Sequence, residues 1–421
     1  METSGPRGTY DILPEESFRW QLMESVLRET AELFGYSEVR LPIFEHTELF
    51  ERGVGDTTDI VQKEMYTFQD RGDRSVTLRP EGTASCARAF IEHKMYNQIQ
   101  PTKWYYMGPM FRYDRPQAGR YRQFHQFGLE AFGSDDPTLD AEIITLMVRM
   151  VQAMGLNDCE LHLNTVGCRE CRPLYRERLI QFLTPLTGQL CDDCRQRVDR
   201  NPLRVLDCKN KNCQQAIKGF PSFSEYLCTR CGQHFDIVQQ TLSIYEIPYI
   251  LDSQLVRGLD YYTNTAFELQ LPSIGGQSAV GGGGRYNGLI EECGGPSTPG
   301  IGFALGLERL LLARKNKELD WNRSTIFDVY VAAMDKEYDR EACMLVDFLR
   351  RSGIRADKDY MGRSLKAQMK FAGKAEASLV VVIGEDEINQ GFYTLRNMNQ
   401  QEQQQIPRDE IANRIKMILG K

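Results

Sequence analysis

Residues 104–133 read WYYMGPMFRYDRPQAGRYRQFHQFGLEAFG. Both ends are apolar and aromatic: Trp104, Tyr105, Tyr106, Met110 and Phe111 on the way in, then Phe124, Phe127, Leu129 and Phe132 on the way back. Pro116 and Gly119 sit as turn residues in the polar middle, so the stretch is expected to form a long antiparallel hairpin. Arginines punctuate it, with Arg112 closing the first run and Arg115, Arg120 and Arg122 in the loop. A strand-anchored arginine beside a basic loop suits phosphate chemistry next to a polyanion, because a guanidinium stays charged and offers forked donors. The plainer alternative is a sheet with a solvated basic loop, and the hairpin alone does not decide between them.

Upstream, Pro14-Glu15-Glu16 looks like a helix start, and Phe18, Leu22, Val26, Leu27 and Phe34 recur at helical spacing until Gly35. Residues 36–41 alternate like a strand and stop at Pro42. A second hairpin turns at Arg71-Gly72-Asp73 and runs into Leu78-Arg79-Pro80-Glu81-Gly82-Thr83, followed by a helix from Ala84 towards His93. Pro80 and Gly82 fix a tight turn in which Glu81 and Thr83 are acceptors suited to an ammonium group. Taken alone, Glu81 reads equally well as a carboxylate favoured at a helix start. Downstream, a helix is expected over about residues 139–154 and a strand over 161–164.

The composition then changes. Cys168/Cys171, Cys191/Cys194 and Cys228/Cys231 share one spacing, and Cys208 and Cys213 form a wider pair. Thiolate pairs so spaced can wrap a tetrahedral Zn²⁺, and four pairs suffice for two ions. The alternative is a helical insertion whose cysteines are small buried apolar residues. With 12 cysteines and no apolar export signal at Met1, reduced thiols or metal ligands are expected rather than disulfides.

Beyond the insertion, Leu255-Val256-Arg257-Gly258-Leu259-Asp260-Tyr261-Tyr262 reads as a binding turn leading into a strand over 265–271. VGGGGRYNGL, residues 280–289, reads as a glycine-rich turn that lets a backbone pass close to a ligand; it fits neither a Walker nor a dinucleotide spacing. GIGFALGLERLLL, residues 300–312, reads as a strand entering a helix with Arg309 in its first turns. From about residue 324, strands at 327–334, 379–384 and 392–398 alternate with helices at 337–351, 364–372 and 408–419, which implies a separate α/β domain. The glutamine-rich run at 400–405 reads as low complexity.

At 421 residues, 41% hydrophobic and 26% charged, the chain has the composition of a globular protein of two or three domains. No run is apolar enough to span a membrane, and a net charge of -7 argues against a surface coated for nonspecific nucleic-acid binding.

With these pieces in order, the chain resembles the class II aminoacyl-tRNA synthetases, and within them the histidyl-tRNA synthetase family. The helix, strand and Pro42 look like the first class motif, residues 108–132 the second and 300–312 the third. Arg257 to Tyr262 and Gly283-Gly284-Arg285-Tyr286 are similar to the two histidine signatures, and TLRPEGT (77–83) and GRYRQFHQ (119–126) also match. Small departures are Asn287, where the family often has Asp, and Tyr113-Asp114 in place of a common His-Glu pair.

The resemblance implies an α+β catalytic core on an antiparallel sheet, split into residues 1–166 and 246–323, with a mostly helical Cys-rich insertion at 167–245 and an α/β anticodon-binding domain at 324–421. It implies activation of L-histidine with ATP and Mg²⁺, then transfer to the 3′-terminal ribose of tRNA(His), in a cytoplasmic homodimer. Arg112 and Arg257 are then the catalytic arginines at the α-phosphate, and Arg309 holds the γ-phosphate end of ATP. Glu81, Thr83 and Gln126 receive the α-ammonium, Glu130 and Tyr262 the imidazole nitrogens, and Tyr261 lines the pocket. Arg120 and Arg122 meet either tRNA or ATP. The competing reading is a non-catalytic synthetase-like subunit that senses histidine.

Overall fold

The computed structural model describes residues 3–55, 58–208, 210–275, 278–319, 321, 326–398, 400 and 402–420. The chain divides into two compact units, Met1–Asp320 and Trp321–Lys421. The expected boundary at residues 323/324 lies outside the described residues.

In chain order the strands of the first unit are β1 (Ser37–Glu38), β2 (Phe44–His46), β3 (Tyr66–Gln69), β4 (Ser75–Leu78), β5 (Thr102–Phe111) and β6 (Gln123–Phe132). After these come β7 (Glu160–Thr165), β8 (Ile250–Leu251), β9 (Thr263–Gln270), β10 (Ala279–Arg285) and β11 (Gly300–Gly306). Strands β2, β4 and β3 make a small sheet; the other eight lie in the order β1-β5-β6-β11-β10-β9-β7-β8. Every neighbouring pair from β5 through to β7 is antiparallel, and only the short edge strands β1 and β8 join in parallel.

The hairpin at its heart runs in unbroken register from Thr102↔Phe132 to Phe111↔Gln123. Its aromatic residues interlock: Tyr105 stacks on Phe127 at 5.5 Å, and Phe132 meets Phe90 at 4.9 Å. Helix Pro14–Leu33 buries Trp20, Met23, Leu27 and Ala31, the one-face spacing of an amphipathic helix. Helix Pro137–Ala153 starts where the Asp136 carboxylate accepts from Thr138 N–H at 2.8 Å, and it buries Ile143, Leu146, Met147 and Met150.

Two local expectations need correction. The strand expected over 36–41 shortens to Ser37–Glu38. Val39 N–H still donates to Tyr105 O at 2.8 Å, but Pro42 has no N–H with which to continue the ladder. The glycine run at 280–289 is not a turn. Gly281 to Gly284 lie inside β10, paired on one side with β9 and on the other with β11. A side chain on Gly282 would meet Phe267 O at 2.6 Å and the Arg257 guanidinium at 2.7 Å. The glycines therefore keep the sheet narrow where an arginine crosses it.

The insertion is mostly helical, with helices Arg172–Leu183, Asp192–Arg200, Leu203–Leu206, Lys211–Ala216 and Thr229–Ile244. Tyr175, Leu179, Leu183, Val198, Leu206 and Phe223 form its small core, and the cysteines pack among them.

The second unit holds β12 (Val329–Ala333), β13 (Ala356–Lys358), β14 (Leu379–Ile383), β15 (Phe392–Asn397) and β16 (Gln403–Pro407) in the order β13-β12-β14-β15-β16. The first three are parallel and the last two antiparallel. Helices Asp339–Arg351, Leu365–Lys374 and Ile411–Leu419 accompany this sheet. Part of the glutamine-rich run is thus an edge strand: Gln403 to Gln405 face solvent while Ile406 is buried, and Gln401 lies outside the described residues. Among the described residues no helix is long and apolar enough to cross a membrane.

Candidate active site

A cleft of about 360 Å³ opens over β6, β10 and β11 of the first unit. Glu81, Thr83, Arg112, Arg120, Gln126, Arg257, Tyr261, Tyr262 and Arg309 all line it. They arrive from the turn after β4, both arms of the hairpin, the stretch before β9 and the helix after β11.

At one end, the Glu81 carboxylate caps helix Thr83–Glu92, accepting from Thr83 N–H at 2.7 Å and Ala84 N–H at 2.8 Å. Burial pushes this carboxyl up, against those two donors and the nearby Arg112. Both of its oxygens keep acceptor capacity. Gln126 presents a buried Oε1 that has no partner among the described residues. An orphaned amide oxygen beside a capped carboxylate is an arrangement that a cationic nitrogen completes.

Glu130 is not among the residues that line the cleft; it is buried behind Gly302. It accepts from Thr83 Oγ1 at 2.7 Å, from Tyr106 Oη at 3.4 Å and from the Tyr286 hydroxyl. Burial raises its pKa to about 8 even though these donors favour the ionised form. Its Oε2 lies 2.0 Å from where a Cβ on Gly302 would stand, and Gly302 lines the cleft, so only a glycine fits in front of this carboxyl. Tyr261 and Tyr262 pack ring to ring at 4.7 Å, and Tyr261 meets Tyr286 edge-on at 5.6 Å.

The arginines converge from three sides. Arg112 is held by Nε donating to Pro80 O at 2.8 Å, with its guanidinium 5.3 Å from the Phe124 ring centre. Arg257 Nη1 donates to Glu268 Oε2 at 2.6 Å, and its buried Nε has no partner among the described residues. Arg309 bridges the hairpin loop and β10, donating to Gly119 O at 3.1 Å and Ala279 O at 2.5 Å. Its neighbour Glu308 accepts from His125 N–H at 2.9 Å, tying the same helix to β6. Arg120 reaches the cleft paired with Asp114 and, at 3.9 Å, with Glu64. Arg122 is not brought to the cleft; its guanidinium stacks on Tyr113 at 3.9 Å and donates to Asp114 O at 3.3 Å.

Sequence reasoning missed Tyr121, Phe124, Glu268 and Tyr286 as lining residues. Tyr286 stood within one of the two quoted signatures, and Phe124 within the hairpin's aromatic run; Glu268, inside a strand, gave no signal. Arg285 is structural. It is fully buried and pairs with Asp140, Nε to Oδ1 at 3.0 Å, while His234 Nε2 and Thr265 Oγ1 reach Asp140 Oδ2 at 2.9 and 2.6 Å. Burial pushes the Asp140 carboxyl up, but Arg285 and His234 outweigh it, and its pKa falls.

The eight paired cysteines sort into two groups, Cys168/Cys171/Cys228/Cys231 and Cys191/Cys194/Cys208/Cys213, each with all Sγ atoms within 4.8 Å of one another. Cys168 and Cys171 Sγ are 3.6 Å apart and Cys191 and Cys208 Sγ 3.8 Å. Four thiolates about 2.3 Å from a tetrahedral zinc stand about 3.8 Å from one another. Backbone N–H groups point at the sulfurs, from Cys228 to Cys171 Sγ at 3.2 Å and from Cys191 to Cys213 Sγ at 3.1 Å, as at thiolate metal sites.

A family model described as Histidyl-tRNA synthetase matches residues 8–171 and 207–310, and one described as Anticodon binding domain matches residues 328–418. A protein of Syntrophomonas wolfei named Histidine--tRNA ligase is 58% identical over 419 residues, covering 100% of this chain and 99% of the relative. One of the same name from Natranaerobius thermophilus is 52% identical over 421 residues and covers 100% of both. The crystal structure of apo S. aureus histidyl-tRNA synthetase superposes with a TM-score of 0.84 at 41% identity, over 99% of this chain and 100% of that one. A Bacillus halodurans structure described as an ATP phosphoribosyltransferase regulatory subunit/histidyl-tRNA synthetase shares the fold at 20% identity and a TM-score of 0.66, covering 91% of this chain and 99% of that one.

Proposed function

The chain belongs to the histidyl-tRNA synthetase family and is an ATP-dependent histidine–tRNA ligase, and from that premise we propose how its residues divide the work. The observation that carries the proposal is a pair of buried polar atoms, on two residues of one cleft, with no partner among the described residues: the Gln126 Oε1 acceptor and the Arg257 Nε donor.

Histidine's carboxylate is already ionised, so its in-line attack on the α-phosphate needs no base. Catalysis rests on alignment and on neutralising the charge that builds on the phosphate. Arg112 and Arg257 grip the α-phosphate from opposite walls, and Arg309 holds the γ-phosphate end. Mg²⁺ bound with ATP would add positive charge at the phosphates beside Arg309. Glu81, Gln126 and the Thr83 oxygen receive the α-ammonium; because Thr83 spends its own proton on Glu130, its oxygen remains free to accept. Glu130, through the opening at Gly302, and Tyr262 read the two imidazole nitrogens, while Tyr261 and Tyr286 wall the ring. A wrong side chain leaves those buried groups unpaired, which discriminates without editing.

Arg120 meets ATP or the acceptor end of tRNA(His), whereas the stacking of Arg122 on Tyr113 makes it a support for the loop. The segment matching an anticodon-binding model supports tRNA(His) as the acceptor. Exposed Leu33, Ile43, Phe44 and Ile99 support a homodimer, and work on tRNA supports a cytoplasmic location. The two cysteine tetrads fit structural Zn²⁺, which takes four thiolates and leaves no open position for catalysis. The histidine-sensing alternative is disfavoured by full-length relatives named as ligases at 52–58% identity.

The test is ATP–pyrophosphate exchange with each amino acid in turn. Exchange stimulated by histidine alone is expected; equal stimulation by another amino acid overturns the pocket assignment.

A further inference from the structure

The two cysteine tetrads are nested, and this gives them different tasks. Cys168/Cys171 precede helix Arg172–Leu183 and Cys228/Cys231 open helix Thr229–Ile244, so this enclosing tetrad ties together the two ends of the insertion. The enclosed tetrad, Cys191/Cys194/Cys208/Cys213, closes a loop instead. Between Cys194 and Cys208 the chain forms the end of helix Asp192–Arg200 and the short helix Leu203–Leu206, anchored by buried Val198, Val205 and Leu206.

That arm touches the stretch carrying Arg257. Val256 packs on the insertion's core. Arg204 Nη2 donates to Gly258 O, and Asn201 Nδ2 donates to Asp260 Oδ1 at 3.1 Å. Arg197 adds a third hold, Nη2 to Asp59 Oδ2 at 2.8 Å. Arg257 therefore sits between residues fixed on one side by apolar packing and on the other by two hydrogen bonds, all made to the insertion. A four-residue helix has little stability of its own, so its placement depends on what closes the loop behind it.

We propose that Zn²⁺ in the Cys191/Cys194/Cys208/Cys213 site positions Arg257 for the activation step, with Asn201 and Arg204 as the positioning residues. The proposal rests on the zinc assignment made above. Cys191, Cys194, Asn201 and Arg204 fall in the gap between residues 171 and 207 of the family-model match, whereas Cys208 and Cys213 lie within the matched segment. Arg257 acts on the transferring phosphate, so displacing it lowers kcat while leaving histidine binding intact.

The test compares the full-length protein with two variants. Zinc per chain is measured by elemental analysis, backbone hydrogen exchange is followed over residues 256–262, and kcat and KM are taken from histidine-dependent ATP–pyrophosphate exchange. The parent is expected to hold two zinc ions per chain, one for each tetrad. Asn201→Ala/Arg204→Ala is expected to keep both ions, speed exchange over 256–262 and lower kcat by about tenfold to a hundredfold. Its histidine KM is expected to stay within about twofold of the parent, and Arg204→Lys with Asn201 intact to recover most of the loss. Cys208→Ser/Cys213→Ser is expected to lose one ion and reproduce the same kcat defect. Two bound ions with parent kcat in the Asn201→Ala/Arg204→Ala variant overturn the positioning role alone. No zinc in the parent overturns the metal assignment itself, whereas the alanine pair still reports on the arm if the serine pair fails to fold.

Discussion

Arg257 and Glu268 are locked together at 2.6 Å, Nη1 to Oε2, at the point where the loop before β9 meets that strand. Glu268 takes one edge of the guanidinium and leaves Nε unpartnered among the described residues. A paired arginine with a free buried donor is aimed before the phosphate arrives, so little reorganisation is needed at the transition state. Arg257→Ala is expected to lower the kcat of histidine-dependent exchange by about 10²–10³-fold with little change in histidine KM. Glu268→Gln keeps a hydrogen bond but loses the charge, and a smaller loss of roughly tenfold is expected. Steady-state exchange kinetics check both; a parent-like kcat in Arg257→Ala removes this residue from the mechanism.

Gln126 tests the reading of the ammonium end. Its Oε1, without a partner among the described residues, gains one when histidine binds, and a hydrogen bond to a charged group contributes about 1.5–3 kcal/mol. Gln126→Ala is therefore expected to raise histidine KM by roughly tenfold or more, with the KM for ATP unchanged. Equal rises in both would place Gln126 outside the amino-acid site.

Glu130 makes stability depend on pH. Its carboxyl holds a proton up to about pH 8 in the fold but only to about 4.5 when the chain is unfolded. Protons thus favour the folded state. This contribution is complete below 4.5 and is lost as pH rises through 8. Glu130→Gln removes it, so its Tm is expected to fall less steeply than the parent's between those limits. Melting curves at a series of pH values decide, and parallel profiles would mean that Glu130 titrates normally.

Gly282 reports on the crossing of Arg257 over the sheet. Gly282→Ala places a methyl group against Phe267 O and the Arg257 guanidinium, a clash expected to cost about 1–3 kcal/mol of stability. A lowered kcat should accompany the lowered Tm. Gly188→Ala is the control, since a Cβ there meets nothing within 4 Å. If both substitutions melt alike, the close approach at Gly282 is not a constraint.

Much of this architecture is legible in the sequence because local pattern and global fold agree. The aromatic ends of the hairpin and the Pro80-Glu81-Gly82 turn each name their own structure. Helical spacing names helix Pro14–Leu33 but not its buried face: of the recurring apolar residues Leu27 is buried, while Leu22 is exposed and Trp20, Met23 and Ala31 turn inward. The failures have physical causes. Four glycines in a row carry no alternation, so nothing local distinguishes a turn from a strand kept narrow for a crossing side chain. The glutamines of β16 form an edge strand through pairing with β15 and not through burial. Glu268 gains its role from the fold of the preceding loop, which brings Arg257 back over the strand, the Asp140–Arg285 pair joins residues far apart in the chain, and cysteine spacing alone could not say which pairs join. Arg122 reads like its neighbour Arg120, yet a stack on Tyr113 turns it from the cleft.

The central claim is that this cleft selects histidine and passes it to tRNA. The most direct measurement is aminoacylation of bulk tRNA by the purified protein with each of the standard amino acids in turn. Charging with histidine alone is the expected result. Charging with any other amino acid at a comparable rate, or none with histidine, contradicts the account.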